Sequence, residues 1–400
     1  AGDRLWPLSR KNAPKQFLNL NQDNSLFQET IIRNIPFCDE FVIVTNQEYQ
    51  EIVEGQMNRF QGISYQIIVE TEALGTAPAV LKASSVLSKE EMVLIMPADL
   101  VLIGEGYSDA LYQAKTLAEQ GQYVLFGVRA DAPKTGYGYI RHQGNHVSRF
   151  IEKPSKALAQ QLFYQDDILW NSGMILCNNG MLQEELEDTL RIRQEKYEKE
   201  ILRIEALKVY ERKYADYALI CGIDEVGRGP LAGPVVAGAV ILPKDCNILY
   251  INDSKKLSEK KREELYDVIM ERAVATGIGM ASPARIDEIN ILQATYEAMR
   301  EAISKLDPQP DLLLNDAVTI PQVEIHQVPI IKGDAKSISI GAASIIAKVT
   351  RDRLMVEYDK VLPGYDFASN KGYGTKAHIA GLKELGPTPI HRRSFIHNYV

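Results

Sequence analysis

A stretch without glycine or proline, residues 182–216, divides the 400-residue chain into two parts. The stretch is dense in Glu, Lys and Arg, and its leucines and isoleucines are thinly spaced, which predicts one or two exposed helices. No heptad repeat persists long enough to favour a coiled-coil dimer. Because 400 residues exceed the usual size of one domain, we predict two domains, residues 1–186 and 217–400, joined by a charged helical linker over 187–216.

Short, near-continuously apolar segments alternate with helical patterns in both parts, which predicts α/β domains. In the first part, segments such as EFVIVT (40–45) and MVLIMPAD (92–99) have the composition of strands in a parallel sheet that is buried on both faces. The alternation resumes after the charged stretch and includes a long predicted helix over 339–359.

Composition excludes few classes of function. No apolar run reaches the roughly 18 residues of a membrane span, and the first residues lack the apolar core of a signal peptide. The four cysteines show no metal-binding spacing, so we expect free thiols in a reducing cytoplasm. They are Cys38, Cys177, Cys221 and Cys246. The net charge of −8 argues against a nucleic-acid binder, but most of the excess lies in residues 1–220.

Acidic residues end several predicted strands of the second part. Asp224 and Glu225 close an apolar strand, Asp316 ends PDLLLNDAV, and Asp334 follows the apolar run VPII. Carboxylates at the ends of neighbouring strands converge, and three or four of them form an oxygen-ligand site suited to Mg²⁺ or Mn²⁺. Such a site is typical of phosphodiester hydrolysis by two metal ions. Asp352, within the long predicted helix, is expected to pair or cap there.

Adjacent residues of a strand point to opposite faces of the sheet. Asp224 and Glu225 can therefore share one site only where their strand ends or bulges, and the turn at residues 227–229 provides such an end.

The second part carries long motifs in a fixed order. They are GIDEVGRGPLAGPVVAGAV, NDSKKLSEKKREELY, EINILQAT, KGDAKSISIGAASIIAKVTRD, NKGYGTKAHI and PIHRRSF. From about Tyr217 onward they resemble ribonuclease HII, the type 2 ribonuclease H. The resemblance implies a ribonuclease H-like mixed sheet with flanking helices. It also implies an endonuclease that hydrolyses RNA in RNA/DNA hybrids and cuts 5′ to single ribonucleotides embedded in a DNA duplex, using Mg²⁺ or Mn²⁺.

The family's catalytic residues are carried over position by position. The resemblance places the four catalytic acids at Asp224, Glu225, Asp316 and Asp334, of which the first three are the firmer metal ligands. One departure is Asn315, because the family usually has an apolar residue before the third acid. This polar residue is expected to loosen the strand end without displacing the carboxylate.

The resemblance also implies residues that bind the nucleic acid. The recognition loop is Gly227, Arg228 and Gly229, and the tyrosine that stacks on the junction sugar is Tyr373. Distinguishing RNA from DNA requires contact with the 2′-hydroxyl, and glycines allow a backbone to approach a ribose closely. The predicted phosphate contacts are Ser254, Lys255 and Lys348.

Basic residues near the C-terminus leave two interpretations open. His391, His397, Arg392 and Arg393 either contact the duplex or pack the tail of the chain.

The first part resembles the sugar-1-phosphate nucleotidyltransferases, most nearly mannose-1-phosphate guanylyltransferase. The resemblance rests on RLWPLSRKNAPKQFLNL (4–20), GTAPAV, MPAD, GYGYI, FIEKP and WNSGM. It implies a Rossmann-like fold that binds GTP and mannose 1-phosphate and forms GDP-mannose. By this resemblance Arg10 and Lys15 hold nucleotide phosphates and Asp99 binds Mg²⁺. The residues expected to contact the sugar phosphate are Glu152, Lys153 and Asn171.

This first resemblance has three departures. The chain starts inside the family's glycine-rich phosphate loop, Leu100 stands where a histidine is usual, and the later segment with a second metal-binding aspartate is missing. We therefore predict an incomplete nucleotidyltransferase fold with impaired catalysis. Two alternatives follow: a bifunctional enzyme that also makes a nucleotide sugar, or a first part that serves the nuclease as a non-catalytic interaction module.

Overall fold

The computed structural model describes residues 14–19, 23–71, 75–102 and 104–399. The chain divides into two compact units, Ala1–Gln194 and Glu195–Val400. Among the described residues, no helix is both long and apolar enough to cross a membrane. All four cysteines are free thiols, as predicted, and three of them are buried.

Helices and strands alternate along the first unit, with short 3-10 turns at Lys15–Phe17 and Gln47–Tyr49. The helices are α1 (Leu26–Asn34), α2 (Gln50–Met57), α3 (Thr76–Ser84), α4 (Tyr107–Ala118) and α5 (Lys156–Phe163), and the strands are β1 (Glu40–Asn46), β2 (Ser64–Glu70), β3 (Met92–Ile95), β4 (Val124–Val128), β5 (Tyr139–Gln143), β6 (His146–Ile151) and β7 (Ile168–Asn178).

The strand pairing of the first unit is only partly the predicted parallel sheet. β1 pairs with β2 in parallel. β7 lies at the centre of the second group of strands and pairs in the antiparallel sense with β3, β4 and β5. β5 and β6 form a hairpin around Gly144, and so short a connection permits only antiparallel pairing. The alternation of strands and helices predicted the α/β class correctly, but it did not reveal this reversal of direction.

The second unit also alternates, after a long helix α6 (Asn179–Leu207) and a short helix α7 (Val209–Lys213). Its remaining helices are α8 (Glu259–Arg272), α9 (Pro283–Ile289), α10 (Ile291–Ser304), α11 (Ile338–Val361), α12 (Phe367–Asn370), α13 (Lys376–Leu385) and α14 (Arg393–Ile396), and its strands are β8 (Ile220–Val226), β9 (Val235–Ile241), β10 (Ala275–Ala281), β11 (Leu312–Asp316) and β12 (His326–Ile330).

A five-stranded mixed sheet forms the core of the second unit, in the order β10-β9-β8-β11-β12. β8, β9 and β10 pair in the antiparallel sense, whereas β8, β11 and β12 run in parallel. Helix α11 packs on β8 and β9, and helix α10 packs on β9 and β10. This is the mixed sheet with flanking helices that the resemblance predicted.

Glycines bring helix α11 unusually close to the sheet. A Cβ atom on Gly222 of β8 would lie 2.1 Å from the carbonyl carbon of Ser339, and one on Gly238 of β9 would lie 2.4 Å from the carbonyl oxygen of Ala343. Any larger residue would push the helix outward. The close approach places the side chains of α11 beside the end of β8, where the site lies.

The segment predicted as a linker belongs in part to the second unit. Ile204 and Leu207, at the end of α6, are buried in a core cluster with Val240 and Ile346. Arg203 donates a hydrogen bond of 2.6 Å to the carbonyl of Ile251. The second compact unit begins at Glu195, so part of the segment predicted as a linker completes the core of that unit.

Candidate active site

The four predicted catalytic acids meet at one edge of the mixed sheet. Asp224 and Glu225 lie near the end of β8, and Asp316 is the last residue of β11, which runs parallel beside it. Asp334 lies in a 3-10 turn, Gly333–Ala335, shortly after β12. Because neighbouring parallel strands end at the same edge, the carboxylates of residues far apart in the chain lie close together there.

The pairing of β8 shows how two adjacent acids can share one site. β8 stays paired with β9 as far as Val226, but its pairing with β11 stops at Ile223. Asp224 and Glu225 thus lie just beyond the last contact with β11, where the sheet opens. Both carboxylates interact electrostatically with Asp316.

Asp224 is held in place by a short chain of hydroxyl groups. Its side chain is 7% exposed and accepts hydrogen bonds from the Glu225 amide, at 2.8 Å, and from Ser344 on α11. The Ser344 oxygen lies 2.9 Å from the Ser254 hydroxyl. Since a hydroxyl has one proton, Ser254 is the donor to Ser344 whenever Ser344 donates to Asp224. Burial, Glu225 and Asp316 raise the pKa of Asp224 well above its usual range.

Glu225 is also largely buried and only partly compensated. Its Oε1 accepts a long contact of 3.4 Å from Arg228, while its Oε2 is buried without a hydrogen-bond partner. Burial raises the pKa of Glu225, with Arg228 acting in the opposite direction and Asp316 adding to the rise. A buried acceptor without a partner is costly unless something else binds it.

Asp316 and Asp334 are linked through the turn between them. The Gly333 amide donates to Asp316 Oδ1 at 2.7 Å, and Lys332 before it adopts the left-handed conformation, with φ of 58°. Burial, Asp253 and Asp316 raise the pKa of Asp334, and nearby Lys255 opposes them. The turn therefore fixes the fourth acid against the third.

These carboxylates suit a divalent cation by their chemistry. Asp224, Glu225 and Asp316 supply oxygen atoms, which Mg²⁺ and Mn²⁺ prefer, and the Glu225 Oε2 oxygen is buried without a partner. Among the described residues, no three His, Cys, Asp or Glu side chains form a closed ligand cluster.

The predicted recognition loop directly follows the acids and borders on Tyr373. Gly227 has φ of 88°, a conformation that favours glycine. A Cβ atom on Gly229 would lie 3.8 Å from the ring of Tyr373, whose residue is 46% exposed. The Leu231 amide donates to the Gly372 carbonyl at 2.9 Å and so ties the loop to the tyrosine turn.

The predicted phosphate contacts differ in their exposure. Lys255 is exposed and lies close enough to Asp334 for its charge to oppose the rise in the pKa of that carboxyl. Ser254 is 3% exposed and its hydroxyl is paired with Ser344, and this burial argues against the predicted contact with a phosphate. Lys348 donates to Asp352 at 2.6 Å and is mostly buried, which confirms the pairing predicted for Asp352 and occupies the lysine.

Two residues at the site were missed by the sequence reasoning. Ser344 contacts Asp224, and Asp253 acts electrostatically on Asp334. Both lie inside quoted motifs, and Asp253 directly precedes the selected Ser254, but only the fold shows which residues turn toward the acids.

Two neighbouring positions also behave differently from the prediction. Asn315 is fully buried, and its amide donates to Gln327 on β12 at 2.8 Å, which ties the strand end where loosening was expected. His391 and Arg392 are buried, at 2% and 0% exposed, so for these two residues the structure favours packing of the tail over contact with the duplex.

Most predicted site residues of the first unit lie among the residues that the structure describes. Lys15 Nζ lies 3.1 Å from Asp99 Oδ2. The backbone N–H of Asn171 donates to the carbonyl of Gly138 at 2.8 Å, and a Cβ atom on Gly138 would lie 3.0 Å from Glu152 Oε2.

Two more predicted site residues of the first unit are Lys153 and Arg10. The Lys153 ammonium lies 3.4 Å from Glu152, and both side chains are exposed. Arg10, the other predicted phosphate ligand, lies outside the described residues.

Comparison with known proteins identifies both units. The family profile described as ribonuclease HII matches residues 221–398. A ribonuclease HII of Lachnoclostridium phytofermentans is 75% identical over 206 residues, which are 52% of this chain and 81% of that protein. The chain belongs to the ribonuclease HII family. The ribonuclease HII of Clostridioides difficile is 57% identical over 202 residues, 50% of this chain and 79% of that protein.

The nucleotidyl transferase profile matches residues 1–216, so the first unit brings the chain into that family as well. Among solved structures, a mannose-6-phosphate isomerase from Helicobacter pylori is 32% identical, with a TM-score of 0.43, over 45% of this chain and 71% of its own. The ribonuclease H2 from Pyrococcus horikoshii is 28% identical, with a TM-score of 0.38, over 44% and 93%. The ribonuclease HII unit is thus an endonuclease of a family that uses divalent metal ions and acts on nucleic acids.

Proposed function

We propose that the ribonuclease HII unit hydrolyses RNA in RNA/DNA hybrids and cuts duplex DNA on the 5′ side of a single embedded ribonucleotide, leaving a 3′-hydroxyl and a 5′-phosphate. The observation that carries this proposal is the position of the loop 227–229. It starts two residues after Glu225, and its last glycine lies against the exposed ring of Tyr373. A loop in that place can contact one ribose while the adjacent phosphate meets the carboxylates.

Three parts of the chain bind the substrate in this proposal, and each contacts a different part of it. Backbone groups of the loop, which a side chain at either glycine would obstruct, contact the 2′-hydroxyl that distinguishes RNA from DNA. The Tyr373 ring stacks beneath the next deoxyribose, on the 3′ side. Exposed Lys255 contacts a phosphate, and this contact contributes affinity without sequence preference.

Asp224, Glu225 and Asp316 would hold Mg²⁺ or Mn²⁺, with Asp334 as the fourth catalytic acid. The ions, when bound, supply an activated water and stabilise the leaving oxygen. Ser344 and the Gly333 amide keep Asp224 and Asp316 in their orientations before any ion arrives. This fixed orientation supports rapid assembly of the site on substrate binding.

The experiment compares three duplexes: one with a single ribonucleotide, one with a long RNA tract opposite DNA, and one made only of DNA. We expect one cut at the phosphate 5′ to the single ribonucleotide, cutting within the tract, and no cutting of DNA. Tyr373→Ala should weaken cutting at the single ribonucleotide more than cutting within the tract. Tyr399→Ala, at another exposed tyrosine, is the control. Equal losses on both substrates, or a need for several consecutive ribonucleotides, would contradict the proposal.

A second candidate function concerns the first unit, which we propose binds GTP and mannose 1-phosphate. The ion pair of Lys15 and Asp99 supports it, together with the meeting of Glu152 and Asn171 around Gly138. Isothermal titration with GTP and Mg²⁺ tests it, with Asp99→Asn as the matched variant. Tight binding that requires both Mg²⁺ and Asp99 supports a nucleotidyltransferase, whereas absence of binding favours a non-catalytic interaction module.

A further inference from the structure

Two buried arginines lie beneath the recognition loop, and their side chains donate to backbone carbonyls. Arg351 and Arg392 are both 0% exposed. Arg392 donates from Nη2 to the Gly227 carbonyl at 2.5 Å and from Nη1 to the Arg228 carbonyl at 2.8 Å. Its Nε and Nη2 also donate to Gly233, at 3.0 and 2.8 Å. One guanidinium group therefore holds the first two residues of the loop and Gly233 beyond it.

Arg351 joins the segment that follows the loop to the turn that carries Tyr373. It donates to the carbonyls of Pro234 and Ala232, each at 2.9 Å, and to the carbonyl of Lys371 at 2.8 Å. A Cβ atom on Gly227 would lie 2.2 Å from its Nε. Gly227 is thus the residue that leaves room for Arg351, and Arg351 fixes the distance between the loop and the tyrosine turn.

Burying two charged guanidinium groups costs free energy, so stability alone does not account for this arrangement. Burial lowers the pKa of Arg351 to about 10, and burial together with Arg351 lowers that of Arg392 to about 9. Replacing buried charges by apolar residues of similar size is often neutral or stabilising in proteins. The planar fork of arginine, however, can hold several carbonyls in fixed directions, which no apolar residue can do.

The carbonyl directions matter for what the loop presents outward. Arg392 draws the carbonyls of residues 227 and 228 toward the interior. The peptide planes then turn the amide groups that follow these carbonyls, on Arg228 and Gly229, away from the guanidinium group, because N–H and C=O point in opposite directions within a trans peptide. Donors facing outward are what a ribose 2′-hydroxyl can meet.

We propose that Arg351 and Arg392 are positioning residues for ribose recognition, which hold the loop 227–229 and the Tyr373 turn in register without touching the substrate. This inference rests on the proposed function of the ribonuclease HII unit. A merely structural role would lower the rate on every substrate equally, or lower only stability. A positioning role instead changes the preference for a single ribonucleotide, because that substrate offers one 2′-hydroxyl and no neighbouring ones.

The test measures kcat/KM of the full chain on the single-ribonucleotide duplex and on the RNA tract, for the unmodified protein, Arg392→Lys, Arg392→Met and Arg351→Lys. Lysine keeps the charge but can no longer clamp separated carbonyls. We expect the ratio of the two values to fall by about tenfold in each variant, the size of one lost charge-assisted hydrogen bond. The loss should appear mainly in KM for the single ribonucleotide, with Tm recorded for every variant.

Arg203→Lys is the matched control, because Arg203 also donates to a carbonyl, that of Ile251, which belongs neither to the loop nor to the tyrosine turn. Gly227→Ala tests the contact with Arg351 from the side of the loop, should the arginine variants not fold. An unchanged ratio in Arg392→Lys, or in Gly227→Ala, overturns the positioning role. If the unmodified protein itself fails to cut the single-ribonucleotide duplex, the proposed function is wrong and this inference falls with it.

Discussion

The acids of the two units lie in different surroundings. In the ribonuclease HII unit, Asp224 is 7% exposed and lies beside two further carboxylates that raise its pKa. In the nucleotidyl transferase unit, the Asp99 side chain is 44% exposed and pairs with Lys15. A surface ion pair satisfies its own charge and contributes little. Among the described residues, Asp224 and Asp316 form no ion pair and Glu225 has only the long contact with Arg228, so this group of like charges indicates a cation site.

The two units also differ in how the predicted site residues lie relative to one another. Every acid that the ribonuclease HII resemblance selected lies at one sheet edge, where hydroxyl and amide groups orient Asp224 and Asp316. In the first unit the described residues bring Lys15 and Asp99 together, and Glu152 and Asn171 around Gly138.

The largest effect is expected from Asp316→Asn. Removing one charge of the carboxylate group should lower cleavage of an RNA/DNA hybrid by about a thousandfold or more, as loss of a catalytic group commonly does. Stability without metal should hold or rise, because repulsion with Asp224 and Glu225 is relieved. Asp267→Asn, on the exposed face of α8, is the control. Near-normal cleavage by Asp316→Asn with Mg²⁺ would mean that the metal site is wrongly assigned.

The next effect concerns where the ribonuclease HII unit begins. The sequence predicted that residues 217–400 retain most of the activity, but Ile204 and Leu207 belong to the core. Glu211 also accepts hydrogen bonds from Ser337 and Ser339 at the start of α11. We expect residues 195–400 to be stable and active, and residues 217–400 to lose about 4 kcal/mol or more, since each buried aliphatic side chain contributes about 2–5 kcal/mol. Urea denaturation of both fragments measures this; equal midpoints would restore the boundary at residue 217.

A smaller effect should appear in the stability of the protein at acidic pH, through a pair of buried histidines. The Thr388 amide donates to His391 Nδ1, His391 Nε2 lies 3.0 Å from His378 Nε2, and His378 Nδ1 donates to the Tyr373 carbonyl. Both rings must be neutral, because protonation would set two N–H groups against each other. Burial, His378 and Arg393 lower the pKa of His391 to about 4, and burial lowers that of His378.

The direction of the change in stability with pH follows from these lowered pKa values. The unfolded chain binds protons near pH 6.5, before the folded protein does, so the contribution of the pair is complete above that pH and is lost as pH falls toward about 4. The loss for His391 amounts to at most about 3 kcal/mol. Denaturant midpoints at pH 7.5, 6 and 5 should fall less steeply in His391→Gln than in the unmodified protein. Parallel curves would show that the pair does not control acid stability.

The smallest effect is expected from Asp99→Asn on the nuclease reaction. Asp99 lies in the first unit, and its partner Lys15 lies there too. We expect cleavage of an RNA/DNA hybrid to stay within about twofold, because loss of an exposed ion pair changes stability by less than about 1 kcal/mol. A large decrease would show that the first unit contributes to nuclease action and would favour the interaction-module alternative.

The sequence by itself determined the α/β class of both units and the two families, and it predicted the four acids with the loop and tyrosine that the fold brings beside them. These features are readable because each is carried by neighbouring residues, as in GIDEVGRG and NKGYGT, whose order does not depend on the fold. The antiparallel course of β7 and the reach of the second unit back to residue 195 were not readable, because patterns of apolar residues fix elements and not their partners.

Only the tertiary structure decided which residues hold the site in shape. Ser344 meets Asp224 because glycines let α11 lie on the sheet, and Ser254 turns inward to support it. Arg392 reaches the carbonyl of Gly227 across 165 positions of sequence. A contact of that range leaves no local pattern, since its cause is the shape of the folded core and the requirement that buried polar groups find partners.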